Sequence, residues 1–351
     1  MKIALVLATS TGGVGKHVVS LVEGLTAAGH RVVVFGPRAV GERFGFPLFR
    51  PVEISAGPHP KDALAVWNLR AELRAMRPDV VHAHGLRAGL VASLAGARPL
   101  VVSWHNQVLD KTGPKAKVLA ALERVVARRA TLTLGVSDDL VARVLELGGR
   151  DVRLAPVGAP PLPVGDGAAI RKEYPEKNLI LSVGRLHPQK GYDTLVAAAR
   201  RWPDTRVLIA GSGPAEAELR AAIDTGATGT RAPVTLLGHR DDVADLLAAA
   251  DVAVVTSVWE ARQLFAQEAL RAGVPLVATK VGGLPGLLGD GAALIAPGDV
   301  DALDRAVTGL LDDPDAAARL VGRGRARAAT WPSEADTVAQ AEACYRELTG
   351  S

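Results

Sequence analysis

"KIALVLATSTGGVGKHVVSLVEGLTAAGHRVVVFG", residues 2–36, decides the fold. Its first seven residues form an apolar run that reads as a strand buried on both faces. Gly12, Gly13 and Gly15 make a tight turn, and apolar residues then recur at helical spacing from about Val14 to Ala28. "RVVVFG" closes the stretch as a second strand, which gives a parallel strand–helix–strand unit. The turn invites comparison with the phosphate loop of ATPases, whose fingerprint runs G-x-x-x-x-G-K-[ST] and uses its hydroxyl on magnesium. Here His17 follows Lys16, and Ser10 stands where the first glycine is required. The variant loop with an earlier lysine fails at Thr11. What remains is a turn that lets a ligand approach the backbone, before a helix N-terminus that favours an anion. An ordinary tight strand-to-helix turn is the competing reading.

The same alternation continues outward in both directions. "DVVHAH", "PLVVSWH" and "LTLGVS" read as further strands of a first sheet, with helices at 114–129 and 138–147. Ser137 is expected to cap the second of these, with Asp138 and Asp139 in its first turn. "APVGAPPLPVGDGA", residues 155–168, holds four prolines and no period, as an interdomain connection does. After it "NLILSVG", "RVLIAG", "VTLLG", "DVAVVTS", "PLVAT" and "AALIA" read as strands of a second sheet. The expected organisation is therefore α/β throughout. A Rossmann-like domain spans 1–162, a second spans 163–330, and a polar-faced helix within 331–351 packs back on the first. Two doubly wound sheets place ligands at their strand C-termini, across a cleft.

Composition narrows the function classes. The chain has 351 residues, 48% of them hydrophobic and 4% aromatic, which suits helices on buried parallel strands. One cysteine, Cys344, excludes an intramolecular disulfide framework and fits a reducing, cytoplasmic setting. No apolar run reaches the roughly 18 residues of a membrane span. The first residues read as a strand rather than as a signal peptide. Up to Leu162, Lys and Arg outnumber Asp and Glu by 21 to 12; beyond it the balance is 20 to 25. A basic first half fits an anionic small molecule or an anionic membrane surface. Nucleic acid is not expected, because no recognition motif or aromatic stacking pattern accompanies the charge.

Two stretches carry candidate chemistry. "SVGRLHPQKG", residues 182–191, follows the first strand of the second half, and puts Arg185 and Lys190 on one strand-end loop. Two such cations suit a diphosphate, arginine as a fork and lysine as a point charge. "SVWEARQLFAQEAL", from Ser257, carries Glu260 and Glu268 with seven residues between them. With a helix starting near Leu264, Glu268 falls in its second turn and Glu260 in the loop before it. The amides of Leu264 and Phe265 then suit a phosphate, and the carboxylates suit sugar diols. Taken singly, each feature is equally an ordinary surface charge or helix start. "DPD" at 313–315 reads as a helix opening, not as a metal-binding pair.

The joint order of these features resembles the retaining GT-B glycosyltransferases of family four. The resemblance extends over nearly the whole chain and includes "DVVHAHG", "LIAGSGP" and "VGGLPGLLGDGAALIAPGD". It implies a GT-B fold and a nucleoside diphosphate sugar donor, UDP- or GDP-linked, with no cofactor or metal required. By position, Arg185 and Lys190 would neutralise the diphosphate, Glu268 would bind the ribose hydroxyls and Glu260 the donor sugar. His105 would reach that sugar from the first domain, and Gly13 would admit donor phosphate and acceptor. The implied transfer retains anomeric configuration, with attack on the face the diphosphate leaves. The same fold also serves sugar-nucleotide epimerases and non-catalytic sugar-nucleotide binders. Three departures from the pattern stand out: Ala261-Arg262-Gln263 where glycines are common, Gly286 where glutamate is common, and "PVG" at 156–158. His84 either lines the acceptor side or is structural. The helix at 114–129, with Lys115, Lys117, Arg124, Arg128 and Arg129, either meets anionic lipid for a lipid-linked acceptor on the inner membrane face or shows water a basic side.

Overall fold

The computed structural model describes residues 1–10, 12–57, 59, 62–107, 113–202, 204–225 and 234–350, without the side chains of 114 and 115. Thr11 and the side chain of Lys115 thus lie outside the described set. The chain forms two compact units, Met1–Gly158 with Pro332–Ser351, and Ala159–Trp331.

In the first unit the strands are β1 (Lys2–Leu7), β2 (Arg31–Gly36), β3 (Phe49–Pro51), β4 (Val80–His84), β5 (Leu100–Trp104), β6 (Leu132–Gly135) and β7 (Val152–Leu154). They pair in the order β3-β2-β1-β4-β5-β6-β7, all parallel. The helices are α1 (Gly13–Ala27), α2 (Arg38–Phe44), α3 (Asp62–Met76), α4 (Leu86–Ala95), α5 (Gly113–Arg129) and α6 (Asp138–Glu146). Ile3, Leu5, Val34, Val80, Val101 and Leu132 fill the centre. Every residue of β4 and β5 is buried, as strands covered on both faces require.

The second unit repeats the plan. Its strands are β8 (Asn178–Val183), β9 (Thr205–Ala210), β10 (Val234–Gly238), β11 (Val252–Val255), β12 (Leu276–Thr279) and β13 (Ala293–Ile295), ordered β10-β9-β8-β11-β12-β13 and again all parallel. Around them run α7 (Ala168–Glu173), α8 (Tyr192–Ala199), α9 (Glu216–Thr225), α10 (Val243–Ala249), α11 (Leu264–Ala272), α12 (Leu284–Leu288), α13 (Val300–Asp312) and α14 (Pro314–Ala329). Two apolar clusters sandwich the sheet, one around Phe265, Leu276 and Leu247, the other around Leu195, Ile209 and Leu303.

The final helix, α15 (Glu334–Thr349), belongs to the first unit. It opens with a reciprocal capping box between Ser333 and Asp336. Ala341, Cys344 and Tyr345 then sink into the core of the first sheet, with Tyr345 fully buried. The departure "PVG" has a local use here, since the Gly158 amide donates to Thr337 Oγ1 on α15 at 2.9 Å.

Local chemistry differs from expectation at one cap. Ser137 takes the N-cap position of α6 with extended backbone, but its hydroxyl donates to Asp139 Oδ1 at 2.6 Å and accepts from no helix amide. An ionised carboxylate two residues away is the stronger acceptor and captures the hydroxyl. Asp313 does cap α14 through the Ala316 amide, as the reading of "DPD" requires.

Candidate functional site

The second-unit candidates cluster at the C-terminal ends of β8 and β11. Arg185 lies two residues beyond β8, exposed and without an ion pair among the described residues. The turn beneath it is anchored by the buried Tyr192, whose hydroxyl donates to Gly184 O at 3.2 Å. Burial pushes that phenol well above its ordinary pKa. A single 3-10 turn, Pro188–Lys190, then leads into Gly191. Gly191 has φ 58, and a β-carbon there would lie 2.3 Å from Thr256 O, so the position excludes every side chain. The loop is lashed to the one after β11: the Val258 amide donates to Gln189 O at 2.9 Å, and Gln189 Nε2 donates to Trp259 O at 2.8 Å.

This lashing brings Lys190 onto Glu260. The ammonium donates to Glu260 Oε1 at 2.5 Å, and the Ser257 hydroxyl donates to the same oxygen at 2.7 Å. Both side chains are largely buried, at 18% and 10% exposure. Sequence reading gave these residues separate tasks, cation for phosphate and carboxylate for sugar. In the structure they are first each other's partners. Ser257 and Thr279, which donates to Ser257 O at 2.6 Å, were not anticipated. The S-x-x-E spacing was the available signal for Ser257; nothing in sequence marks Thr279.

Helix α11 begins at Leu264. Glu268 sits in its second turn, partly buried, and Glu260 lies in the preceding loop. No described group accepts from the amides of Leu264 and Phe265, which leaves them free for an anion. The unusual Ala261-Arg262-Gln263 run is absorbed locally. Ala261 is buried, and the Gln263 side chain caps α11 by accepting from the Ala266 amide at 3.1 Å. Arg262 donates to Gln267 Oε1 at 3.3 Å, and burial, with Arg327 and Arg271 nearby, lowers its pKa to about 10. Gly286 sits within α12, its carbonyl accepting from Arg327.

In the first unit, the glycines of the opening stretch divide into two kinds. A β-carbon on Gly15 would lie 2.1 Å from the Phe44 ring, so Gly15 is needed for packing. Gly12 and Gly13 are exposed, and a β-carbon at either would meet no described atom within 4 Å. Nothing in the described protein therefore requires glycine at Gly13. Lys16 is exposed on α1.

His105 follows β5 and is buried. Its Nε2 lies 3.3 Å from His84 Nδ1 at the end of β4. His17, one turn into α1, packs edge-on against both rings, at 5.4 Å from His84 and 5.5 Å from His105. The His82 ring packs tilted against His84, with centroids 4.1 Å apart. It is engaged at both nitrogens, Nδ1 with the Tyr345 hydroxyl at 2.5 Å and Nε2 with Ser103 Oγ at 2.7 Å. Burial keeps all four imidazoles neutral, lowering His17 to about 4 and His82 to about 3, with His84 and His105 also well below the usual range. The sequence did not announce His17 as a member of this group.

Comparison with known proteins places both units. The family model described as "Glycosyl transferases group 1" matches residues 168–327, and that described as "Glycosyl transferase 4-like domain" matches residues 12–160. The chain is 31% identical over 294 residues to D-inositol 3-phosphate glycosyltransferase of Mycobacterium avium, covering 76% of this chain and 69% of that one. It is 27% identical over 300 residues to sulfoquinovosyl transferase SQD2 of Arabidopsis thaliana, covering 76% of this chain but only 55% of the relative. Among solved structures, sucrose-phosphate synthase from Thermosynechococcus elongatus superposes with TM-score 0.81 at 25% identity, over 99% of each chain. Anabaena HepE, solved with UDP, superposes with TM-score 0.83 at 21% identity, over 99% of this chain and 100% of that one, and bears on the fold alone. The fold is GT-B, and with a matching family model on each half and a 31% identical relative, this chain belongs to the group 1 glycosyl transferases.

Proposed function

We propose that the protein transfers a hexosyl group from a UDP- or GDP-linked donor to an acceptor, with retention of anomeric configuration. The observation that carries the reading is the strand-end cluster of the second unit, where Arg185, Lys190 and the free start of α11 supply positive potential beside two carboxylates. Arg185 and the amides of Leu264 and Phe265 hold the diphosphate; Glu268 takes the ribose hydroxyls. Glu260 takes the donor sugar while fixing the Lys190 ammonium against the phosphate. Charge that develops on the leaving diphosphate is stabilised by groups already in place, which is the main electrostatic contribution such a site makes. The departing phosphate oxygen accepts the proton of the acceptor hydroxyl as the new bond forms on the same face. His105 touches the donor sugar and Gly13 leaves room for phosphate and acceptor. The chemistry needs no metal or cofactor.

The acceptor is proposed to be anionic or lipid-linked. Lys117, Arg124 and Arg128 are exposed along α5, whereas Val126 and Ala127 are buried on its other side. That face meets an anionic lipid surface through charge alone. Among the described residues, no helix is long and apolar enough to cross a membrane.

The test is incubation with UDP- and GDP-sugars, with and without candidate acceptors such as inositol phosphates and anionic lipids. The reading expects one donor to be consumed with release of its nucleoside diphosphate and an α-configured product from an α-configured donor. Conversion of the donor to an epimeric sugar nucleotide without acceptor would overturn it, as would protection of the fold by donor with no turnover under any condition.

A further inference from the structure

The far edge of the first sheet carries a cluster of cations that sugar transfer does not use. Where the chain enters β4 and β5, a cavity of about 460 Å³ opens beside the ends of α3 and α4. It lies at the opposite ends of those strands from His84 and His105. The buried Leu73, Val81, Ala95 and Ala97 form its floor, and Arg70, Arg74, Arg77 and Arg98 stand exposed around its rim. We propose that this cavity binds a phosphate ester or diphosphate, with the phosphoryl oxygens on the arginines and any apolar portion on the floor. A volume of this order suits a small molecule or a headgroup.

Three observations support the site. First, four cations line one cavity and no Asp or Glu does. The acidic residues next to them in sequence are engaged elsewhere: Glu72 faces Arg50 at 3.7 Å, and Asp79 Oδ2 accepts from the Lys2 amide at 2.6 Å. Guanidinium groups gathered in this way repel one another, and an anion between them relieves the repulsion while matching their fork geometry.

Second, two of the four arginines are anchored and two are left over. Arg70 donates to Ala95 O at 3.1 Å and to Leu94 O at 2.7 Å, at the end of α4. Arg98 donates to Arg129 O at 3.4 Å, at the end of α5. Those bonds are the ordinary use of arginine at a helix C-terminus. The side chains of Arg74 and Arg77 make no hydrogen bond or ion pair among the described residues. Third, Arg77 has φ 49, the one positive φ outside glycine among the described residues. A left-handed residue after a helix suits glycine, and α4 does end that way at Gly96. Arg77 therefore keeps a guanidinium at the rim where helix termination alone favours glycine.

The inference stands apart from the glycosyl-transfer reading, whose diphosphate site lies in the second unit. Full-length protein is titrated with inorganic pyrophosphate, and hydrogen exchange locates each bound ion. The expected result is slowed exchange across residues 70–81 and 94–98, weakening as salt rises. Arg185→Ala should remove protection around residues 184–191 and leave this effect in place, so the two readings fail separately. Arg74→Gln should weaken binding at the cavity at least about tenfold. Arg77→Gly fits the left-handed backbone, so it should weaken binding similarly while melting no lower than wild type; an arginine with a purely structural role would not behave so. Phosphatidylcholine vesicles with and without phosphatidic acid form the second arm. Retention on the acidic vesicles alone, lost in both variants and without protection by pyrophosphate, assigns the phosphoryl group to a lipid. No protection of residues 70–81 by either probe, or protection unchanged in folded Arg74→Gln and Arg77→Gly, overturns the proposal.

Discussion

Lys190 and Glu260 stand seventy positions apart, yet share one hydrogen bond at 2.5 Å in a mostly buried setting. That pairing separates two substitutions that look alike in sequence. Arg185 is exposed and unpaired among the described residues, so Arg185→Ala removes only what the cation does for a ligand. Turnover should fall more than tenfold with the urea midpoint unchanged. Lys190→Ala also strands a buried carboxylate, which costs on the order of 3 kcal/mol when one partner of such a pair is lost. Its activity loss should therefore come with a lower midpoint. Steady-state kinetics and urea unfolding on the two variants check this; wild-type turnover in Arg185→Ala would remove the phosphate assignment.

At the scale of elements, the start of α1 holds two glycines of different kinds within one turn. Gly15 lies under Phe44, and a methyl group there must displace an aromatic ring. Gly15→Ala should lower stability by about 1–2 kcal/mol through overpacking. Gly13→Ala meets open space and lies at the first helical position, so its stability should match or slightly exceed wild type. Its effect should appear as weaker donor affinity. Thermal melts with and without sugar nucleotide distinguish the two, and equal donor affinity in Gly13→Ala would show that no ligand approaches that backbone. Helix α11 makes a related point. Gln263 stands where glycine is common in the resembled family, and its side chain is spent on capping that helix through the Ala266 amide.

At the scale of the whole molecule, the first unit closes on itself through α15, which carries Tyr345 to the His82 ring. His17, His82, His84 and His105 make stability depend on pH. Their folded pKa values lie below the unfolded value of 6.5, with His17 near 4. Between those limits the unfolded chain binds protons that the folded chain does not, so stability falls as pH falls. The contribution is complete above about pH 6.5 and is lost progressively toward pH 4. Carboxylates such as Asp336, held low by its hydrogen bonds with Ser333, contribute only further down. The unfolding midpoint should therefore decline already between pH 6.5 and 5. A flat profile across that interval would mean that the imidazoles are hydrated and free to protonate.

Periodicity and turn chemistry alone determined the parallel α/β class, eleven of the thirteen strands among the described residues and the start of α11. These are local signals: a buried strand needs an apolar run, and a helix start needs a cap within a few residues. The edge strands β3 and β7 escaped because their residues, FRP and VRL, are half-buried or exposed and make no apolar run. Ser137 was assigned the right position and the wrong bond, since Asp139 competes at equal sequence distance. The Lys190–Glu260 pair and the gathering of His17, His84 and His105 belong to the tertiary structure. Both depend on which strands become neighbours. β1 lies beside β4 and β8 beside β11 only after crossovers of many residues, so no window of sequence contains both partners.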